Sequence, residues 1–367
     1  MQYLKGLNTL RFFAALLVLI GHSTIDLKGL GIDHTNIFFT RKGSDAVQFF
    51  FLLSGFLLTY ISLTSVEKYG KFNIKRFYIN RVLRIWPLYY LCVFMGFVVL
   101  GFILPYILHI NYLIFSVKYG LPYFLFFLPN YIAAVYPTAN VGALFALWSI
   151  GVEEQFYLFF PLLVLFILKS NRSVVWLLAI SISYSVFYYL NTYNFFHFNP
   201  VTQIFITTLK FHFMFIGCLF AVLFKKHTKF VQTLLPDKKI TQAILLLLVG
   251  IIVFGDLPVS YASWGIMSAM VYGCFIINTF SATKQIISLE NPWLSYLGNI
   301  SYGIYMFHPY MSYVLRFAIL KSPTVKNLVT IFPPIYYVAM FCITIPVAHL
   351  SYKYFESRFL RMKSKVI

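Results

Sequence analysis

Residues 7–25 read LNTLRFFAALLVLIGHSTI. As a helix this stretch rises about 28 Å at 1.5 Å per residue, close to the ~30 Å of a bilayer's hydrocarbon core. It carries two ionisable groups, Arg11 and His22. Eleven residues separate them, which on a helix is ~16.5 Å of rise but only ~20° of rotation, so both lie on one face. A charge inside a span costs several kcal/mol and marks function by default. With no small-residue cleavage site, the stretch reads as a retained first span and not a removed leader.

The rest of the chain repeats the pattern. Its 367 residues are 60% hydrophobic, 20% aromatic and 11% charged, against about 25% charged in a soluble domain. Further spans are expected at 45–64, 85–104, 149–168, 173–190, 203–224, 240–255, 259–280, 294–316 and 329–350, each near the ~20 residues a crossing needs. The stretch 105–136 is apolar but broken by Pro105, Pro122 and Pro129. It reads as re-entrant, interfacial or a pair of short helices. The expected fold is an all-α integral membrane bundle of about ten transmembrane helices, forming a single domain over 1–367.

The net charge of +19 would suggest nucleic acid on a soluble protein. Here it sits in short clusters between spans, which is an orientation signal. Lys68, Lys71, Lys75, Arg76, Arg81 and Arg84 follow the second span. Lys169 and Arg172, then Lys225, Lys226, Lys229, Lys238 and Lys239, then Lys353, Arg358, Arg361, Lys363 and Lys365 fall on the same side, with Lys5, Arg11 and Lys284. The sparser set Lys28, Arg41, Lys42, Lys118, Arg316, Lys321 and Lys326 falls on the other. Both termini are therefore expected in the cytoplasm. Cys92, Cys218, Cys274 and Cys342 lie within apolar runs with no Cys-x-x-Cys, so neither a disulfide nor a metal site is expected.

Several groups offer chemistry. A guanidinium such as Arg11 suits a phosphate, and an imidazole such as His22 suits general-base work near neutral pH. The alternative for this helix alone is a snorkelling arginine and an interfacial histidine. Trp148-Ser-Ile-Gly-Val-Glu153-Glu154-Gln155-Phe-Tyr157 opens the fourth span. Its two acids differ by ~100° around a helix, so only one can share a groove with His22. Glu153 is expected to orient His22 and steady its protonated form, with Glu154 a possible lining group. Arg81 and Arg84 share a helical face and suit donor phosphates, or else simply anchor the helix. His308, in Tyr302-Gly-Ile-Tyr-Met-Phe-His308-Pro309, lies at a depth near that of His22, beside a proline that frees a carbonyl. Lys210, His212, Asp45, Gln48 and Tyr302 are further lining candidates. Gly55 would admit close helix approach. Ser54 lacks the Gly-x-Ser-x-Gly setting of a hydrolase nucleophile and reads as polar lining.

Taken in order, these motifs resemble acyltransferase family 3. Arg11-x10-His22 is similar to the family's first helix and Ala46–Phe56 to its second. Asn80-Arg81-Val-Leu-Arg84-Ile-Trp-Pro87 resembles its arginine motif, Trp148–Tyr157 its Trp-Ser-Leu-x-Val-Glu-x-Gln-Phe-Tyr motif, and Leu297–Pro309 its late helix. Asn80 and Gln48 depart from it, standing where many members carry Arg and Asp. The resemblance implies a bacterial inner-membrane O-acyltransferase, with no appended hydrolase-like domain. Such an enzyme takes an acyl group, usually acetyl, from cytoplasmic acyl-CoA. Its acceptor is a hydroxyl of a cell-surface glycan or lipid-linked saccharide, or of a small molecule such as an antibiotic. Acetyl-CoA is thus the expected donor, with no permanently bound cofactor, no metal and no nucleic acid; the oligomeric state is not legible. The rival from another class is a transporter or flippase for a lipid-linked sugar, which broken segments and buried charges also fit.

Overall fold

The computed structural model describes residues 4, 6–32, 42–108, 117–136, 141–255, 261–281 and 286–363. Lys5, Arg41, Lys284, Lys365 and the middle of the broken stretch, 109–116, lie outside the described residues, as do the side chains of Lys42 and Lys118. Every regular element among the described residues is helical. Seven helices build the site: α1 (Leu7–Gly29), α2 (Lys42–Tyr69), α3 (Ile74–Phe94), α4 (Leu147–Lys169), α5 (Phe211–Lys226), α6 (Ser301–Lys321) and α7 (Pro334–Ser351).

Eight stretches are long and apolar enough to cross a membrane: Leu7–Gly29, Gly43–Tyr69, Ile74–Ile107, Gly142–Lys169, Ser173–Thr192, Pro200–Lys226, Trp264–Ser281 and Pro334–Met362. Each overlaps one of the ten expected spans. The other two expected spans are also helical but fall short for different reasons. Lys239–Phe254 is apolar but only 16 residues long. The 294–316 region breaks at Ile300 into Pro292–Asn299 and α6, and α6 carries His308 and Arg316 among its aromatics. The last span begins at Pro334 and not at 329, because Pro333 and Pro334 end the preceding helix Pro323–Ile331. Within the broken stretch, the first residues finish the helix Leu104–Leu108 at the end of the third span, and two further short helices follow, Val117–Leu125 and Pro129–Val135.

The tightest packing is α2 on α5. A Cβ placed on Gly55 would overlap the carbonyl oxygen of Met214, and one on Gly217 would overlap that of Leu52. Two glycines facing each other's backbone let the helices meet with no side chain between them, as Gly55 suggested. The Cys218 Sγ then reaches the Gly55 carbonyl at 3.6 Å. Leu52, Phe56 and Met214 of this pair are fully buried, as are Leu88, Tyr89 and Phe156 elsewhere in the same core. α1 and α4 pack on α2 of this pair, and α3 and α6 complete the ring of helices that carries the polar groups.

Candidate active site

The face of α1 that carries Arg11 and His22 turns inward and has a different environment at each end. At the Arg11 end, α1, α2, α3, α4 and α6 enclose a cavity of about 150 Å³ lined by Arg11, Ser54, Arg81, Arg84, Glu153 and Tyr157. Tyr157 Oη donates to Glu153 Oε2 at 2.7 Å. That commits its one proton, so the Ser54 hydroxyl, 2.6 Å away, donates to Tyr157. Arg84 lies 5.9 Å from the centre of the Tyr302 ring, and the Tyr302 hydroxyl donates to Ile85 O at 3.0 Å. Among the described residues, none of the three guanidiniums makes a hydrogen bond or an ion pair. Three half-buried cations with unused donor forks around one acid form a site whose chemistry suits an anion.

A larger cavity of about 440 Å³ adjoins this one, the two sharing Leu57, Leu58, Ile61 and Arg81 in their walls. Asn8, Lys68, Asn73, Arg76 and Asn80 line the larger chamber. Lys68 and Arg76 flank one aromatic ring there, 5.2 Å and 5.5 Å from the centre of Tyr69. Lys363, just beyond the last span, feels the same crowd of cations. Burial, then Arg81 and Arg84 beside it, push its ammonium down to about 7.

At the other end, His22 Nδ1 lies 2.8 Å from His308 Nε2. His308 is buried, and its Nδ1 is 2.6 Å from the carbonyl of Tyr305. The Tyr305 hydroxyl in turn donates to Ala146 O at 3.0 Å and meets Ser149 Oγ at 2.6 Å. Tyr305 and Ser149 also line the smaller cavity. The His pair is thus joined to the arginine end through one turn of α6.

The expected partnership of Glu153 with His22 is corrected by this arrangement. A 3₁₀ segment, Gly142–Ala146, precedes α4, so the span starts before residue 149. Eleven residues from Gly142, Glu153 sits roughly 19 Å along the span. That brings it to the level of Arg11, where both Arg81 and Arg11 act on its charge. His308 takes its place beside His22. Glu154 faces elsewhere, as the ~100° offset requires, and accepts from Trp86 Nε1 at 3.0 Å.

The remaining candidates divide. Ser54 and Tyr302 line the cavity; Asp45, Gln48, Glu154, Lys210 and His212 do not. Asp45 accepts from Trp264 Nε1 at 3.3 Å, and Gln48 is buried near Gly265. Lys210 stands 5.8 Å from the Trp148 ring centre. His212 is packed among Tyr184, Tyr188 and Phe213. Sequence reasoning misses Glu356, a buried acid within the electrostatic reach of Arg84 that accepts from Ser351 Oγ at 3.3 Å. A signal does exist: Glu356 is the one acid in the basic run from Lys353 to Lys365.

The family model of an acyltransferase domain, that of acyltransferase family 3, matches residues 4–353. A candidate O-acetyltransferase of Staphylococcus aureus (strain COL) is 26% identical over 386 aligned residues, covering 100% of this chain and 59% of its own length. A second, from strain MSSA476, gives the same figures. O-acetyltransferase OatA of Staphylococcus aureus (strain NCTC 8325 / PS 47) is 29% identical over 178 residues, covering 47% of this chain and 26% of its own length. The chain spans less than two thirds of the length of these relatives. No solved structure matches it. A match that takes in α1, the arginine pair, the Glu153 helix and the His308 helix together leaves one assignment: the chain belongs to acyltransferase family 3.

Proposed function

We propose that the protein is a membrane O-acyltransferase that moves an acyl group, acetyl in the simplest case, from acyl-CoA to a hydroxyl of a cell-surface glycan or its lipid-linked precursor. One observation carries the reading. A set of unpaired guanidiniums lies at one end of a helix face, and a histidine with a defined partner lies at the other. The separation of ~16.5 Å suits a donor with phosphates at one end and a thioester at the other. The names of the Staphylococcus aureus relatives, O-acetyltransferases, support oxygen as the accepting atom.

In this reading Arg81, Arg84 and Lys363 hold the phosphates, and the larger chamber takes the nucleotide end. Arg11 steers the donor toward His22. His22 removes the proton of the acceptor hydroxyl as the oxygen attacks the thioester carbonyl. The new O–C bond forms, the C–S bond breaks, and His22 returns the proton to the thiolate. The Glu153–Tyr157–Ser54 chain fixes the wall of the cavity between the two ends. The arginine end faces the cytoplasm and the membrane is the bacterial inner membrane, a placement supported by the bias of basic residues.

Purified protein in detergent or nanodiscs, incubated with acetyl-labelled acetyl-CoA and lipid-linked or polymeric glycans, should transfer label to an acceptor or release CoA slowly by hydrolysis. Movement of a lipid-linked sugar across vesicles with neither product would replace this reading with that of a flippase.

A further inference from the structure

We propose that His308 is a positioning residue that fixes the tautomer of His22, so that Nε2 of His22 is the nitrogen left with a lone pair. The inference rests on the acyl-transfer reading only for what that lone pair does.

The argument begins at Pro309. Proline has no N–H, so the carbonyl four residues earlier, that of Tyr305, loses its helical donor. His308 Nδ1 lies 2.6 Å from that oxygen. A carbonyl oxygen only accepts, so Nδ1 carries the hydrogen. In a neutral imidazole the other nitrogen must then be the acceptor, which leaves His308 Nε2 with a lone pair. His22 Nδ1 is 2.8 Å from this nitrogen and therefore donates to it. Its own Nε2 stays unprotonated.

Ring geometry supports an in-line bond. The two imidazoles are parallel to within 3° and their centres are 4.9 Å apart. This is the spacing of rings joined edge to edge through an N–H···N bond, and too wide for face-to-face stacking. Phe145 meets the His22 ring edge-on at 4.7 Å and the His308 ring at 6.2 Å, which fixes both ring planes. When His22 Nε2 takes the hydroxyl proton, Nδ1–H remains bonded to His308. The proton can go no further than His308, because the group beyond its Nδ1–H is the Tyr305 carbonyl, which accepts a hydrogen bond but is no base. It returns from His22 Nε2 to the leaving thiolate.

The test uses the full-length protein in nanodiscs near neutral pH. Ring-15N NMR, with the His22 signals assigned by their loss in His22→Gln, reads which nitrogen is protonated. The expected result is a protonated Nδ1 and a bare Nε2. His308→Gln keeps an oxygen that can accept from His22 Nδ1–H, whereas His308→Phe offers none. The Gln variant should keep the tautomer and most of kcat. The Phe variant should give mixed His22 tautomers and lose roughly 10²–10⁴-fold in kcat, with KM for acetyl-CoA within a few-fold. A wild-type His22 protonated on Nε2 would overturn the proposal, and so would equal kcat in the Gln and Phe variants. Should wild type transfer no acyl group while the spectrum shows the expected tautomer, the acyl-transfer reading fails and the tautomer assignment stands.

Discussion

Replacing Arg81 and Arg84 with alanine separates the two roles open to these side chains, holding a donor and anchoring a helix. Among the described residues neither makes a hydrogen bond or ion pair, so their removal breaks no native polar bond. Arg84 gives up its position over the Tyr302 ring at 5.9 Å, and cation–π interactions of this kind contribute about 0.5–1 kcal/mol. Relief of repulsion within the crowd formed with Arg11 and Lys363 is set against the lost attraction of Arg81 to Glu153 and Glu154 and of Arg84 to Glu356. With charge terms of both signs and no direct ion pair broken, the fold should change by about 1 kcal/mol. Donor binding is expected to suffer far more. A hydrogen bond to a charged group contributes about 1.5–3 kcal/mol, so each arginine should cost roughly ten- to a hundredfold in Kd at about 1.4 kcal/mol per decade. The double substitution should fall short of the product, because both arginines face one ligand. Lysine at either position should rescue only part, since it lacks the bidentate fork. Calorimetric titration of purified protein with CoA, run beside thermal melts in the same detergent, gives both quantities. A double variant that binds CoA as wild type does, or whose weakened binding tracks a collapsed Tm, would return these arginines to anchoring.

Other perturbations read other parts of the site. His22→Ala should lower acyl transfer by roughly 10²–10⁴-fold while CoA titration stays within a few-fold of wild type; transfer near the wild-type rate would remove His22 from the chemistry. Lys363, pushed down to about 7 from 10.5, binds its proton less tightly folded than unfolded, so stability should rise with pH between those two values. Its charge aids an anionic donor, so CoA affinity should weaken as pH rises through about 7 to 8, and Lys363→Met should flatten that trend. Gly55→Ala forces α2 away from the Met214 carbonyl and should cost about 1–3 kcal/mol or more, seen as a lower Tm and poor recovery from membranes. An alanine variant as stable as wild type would show that the two helices can part at no cost.

The spans are legible in the sequence because a crossing helix must be apolar for about 20 residues and its surroundings cannot hide that. The shared face of Arg11 and His22 is legible for a similar reason: eleven residues bring a helix back to the same side whatever it packs against. Depth across different helices is not legible. Placing Glu153 beside His22 requires the point where the fourth span begins. The 3₁₀ turn Gly142–Ala146, built of small and apolar residues, carries no polar boundary to mark it. Moving that start by seven residues carries Glu153 from the His22 level to the Arg11 level. Glu356 escapes notice for a related reason: it lies in a basic run that reads as a solvated tail, whereas the helix from Pro334 continues through a π turn at Tyr352–Glu356 and turns the acid inward.

The His22–His308 pair marks the boundary between what sequence can and cannot supply at a site. Equal depth for the two histidines and a carbonyl freed by Pro309 both follow from one-dimensional reasoning. What sequence lacks is that α1 and α6 are neighbours, and that the freed carbonyl is satisfied by His308 and not by solvent or another helix. Once those facts are in hand, a residue usually read as a helix breaker gains a chemical role. Without Pro309 the Tyr305 carbonyl would accept a main-chain N–H, and His308 Nδ1 would compete for it. With Pro309 that competitor is absent, and the direction of every hydrogen in the chain Tyr305–His308–His22 follows. A buried polar chain with one permitted orientation presents the same basic nitrogen in every molecule, which is the condition a general base must meet before its pKa matters at all.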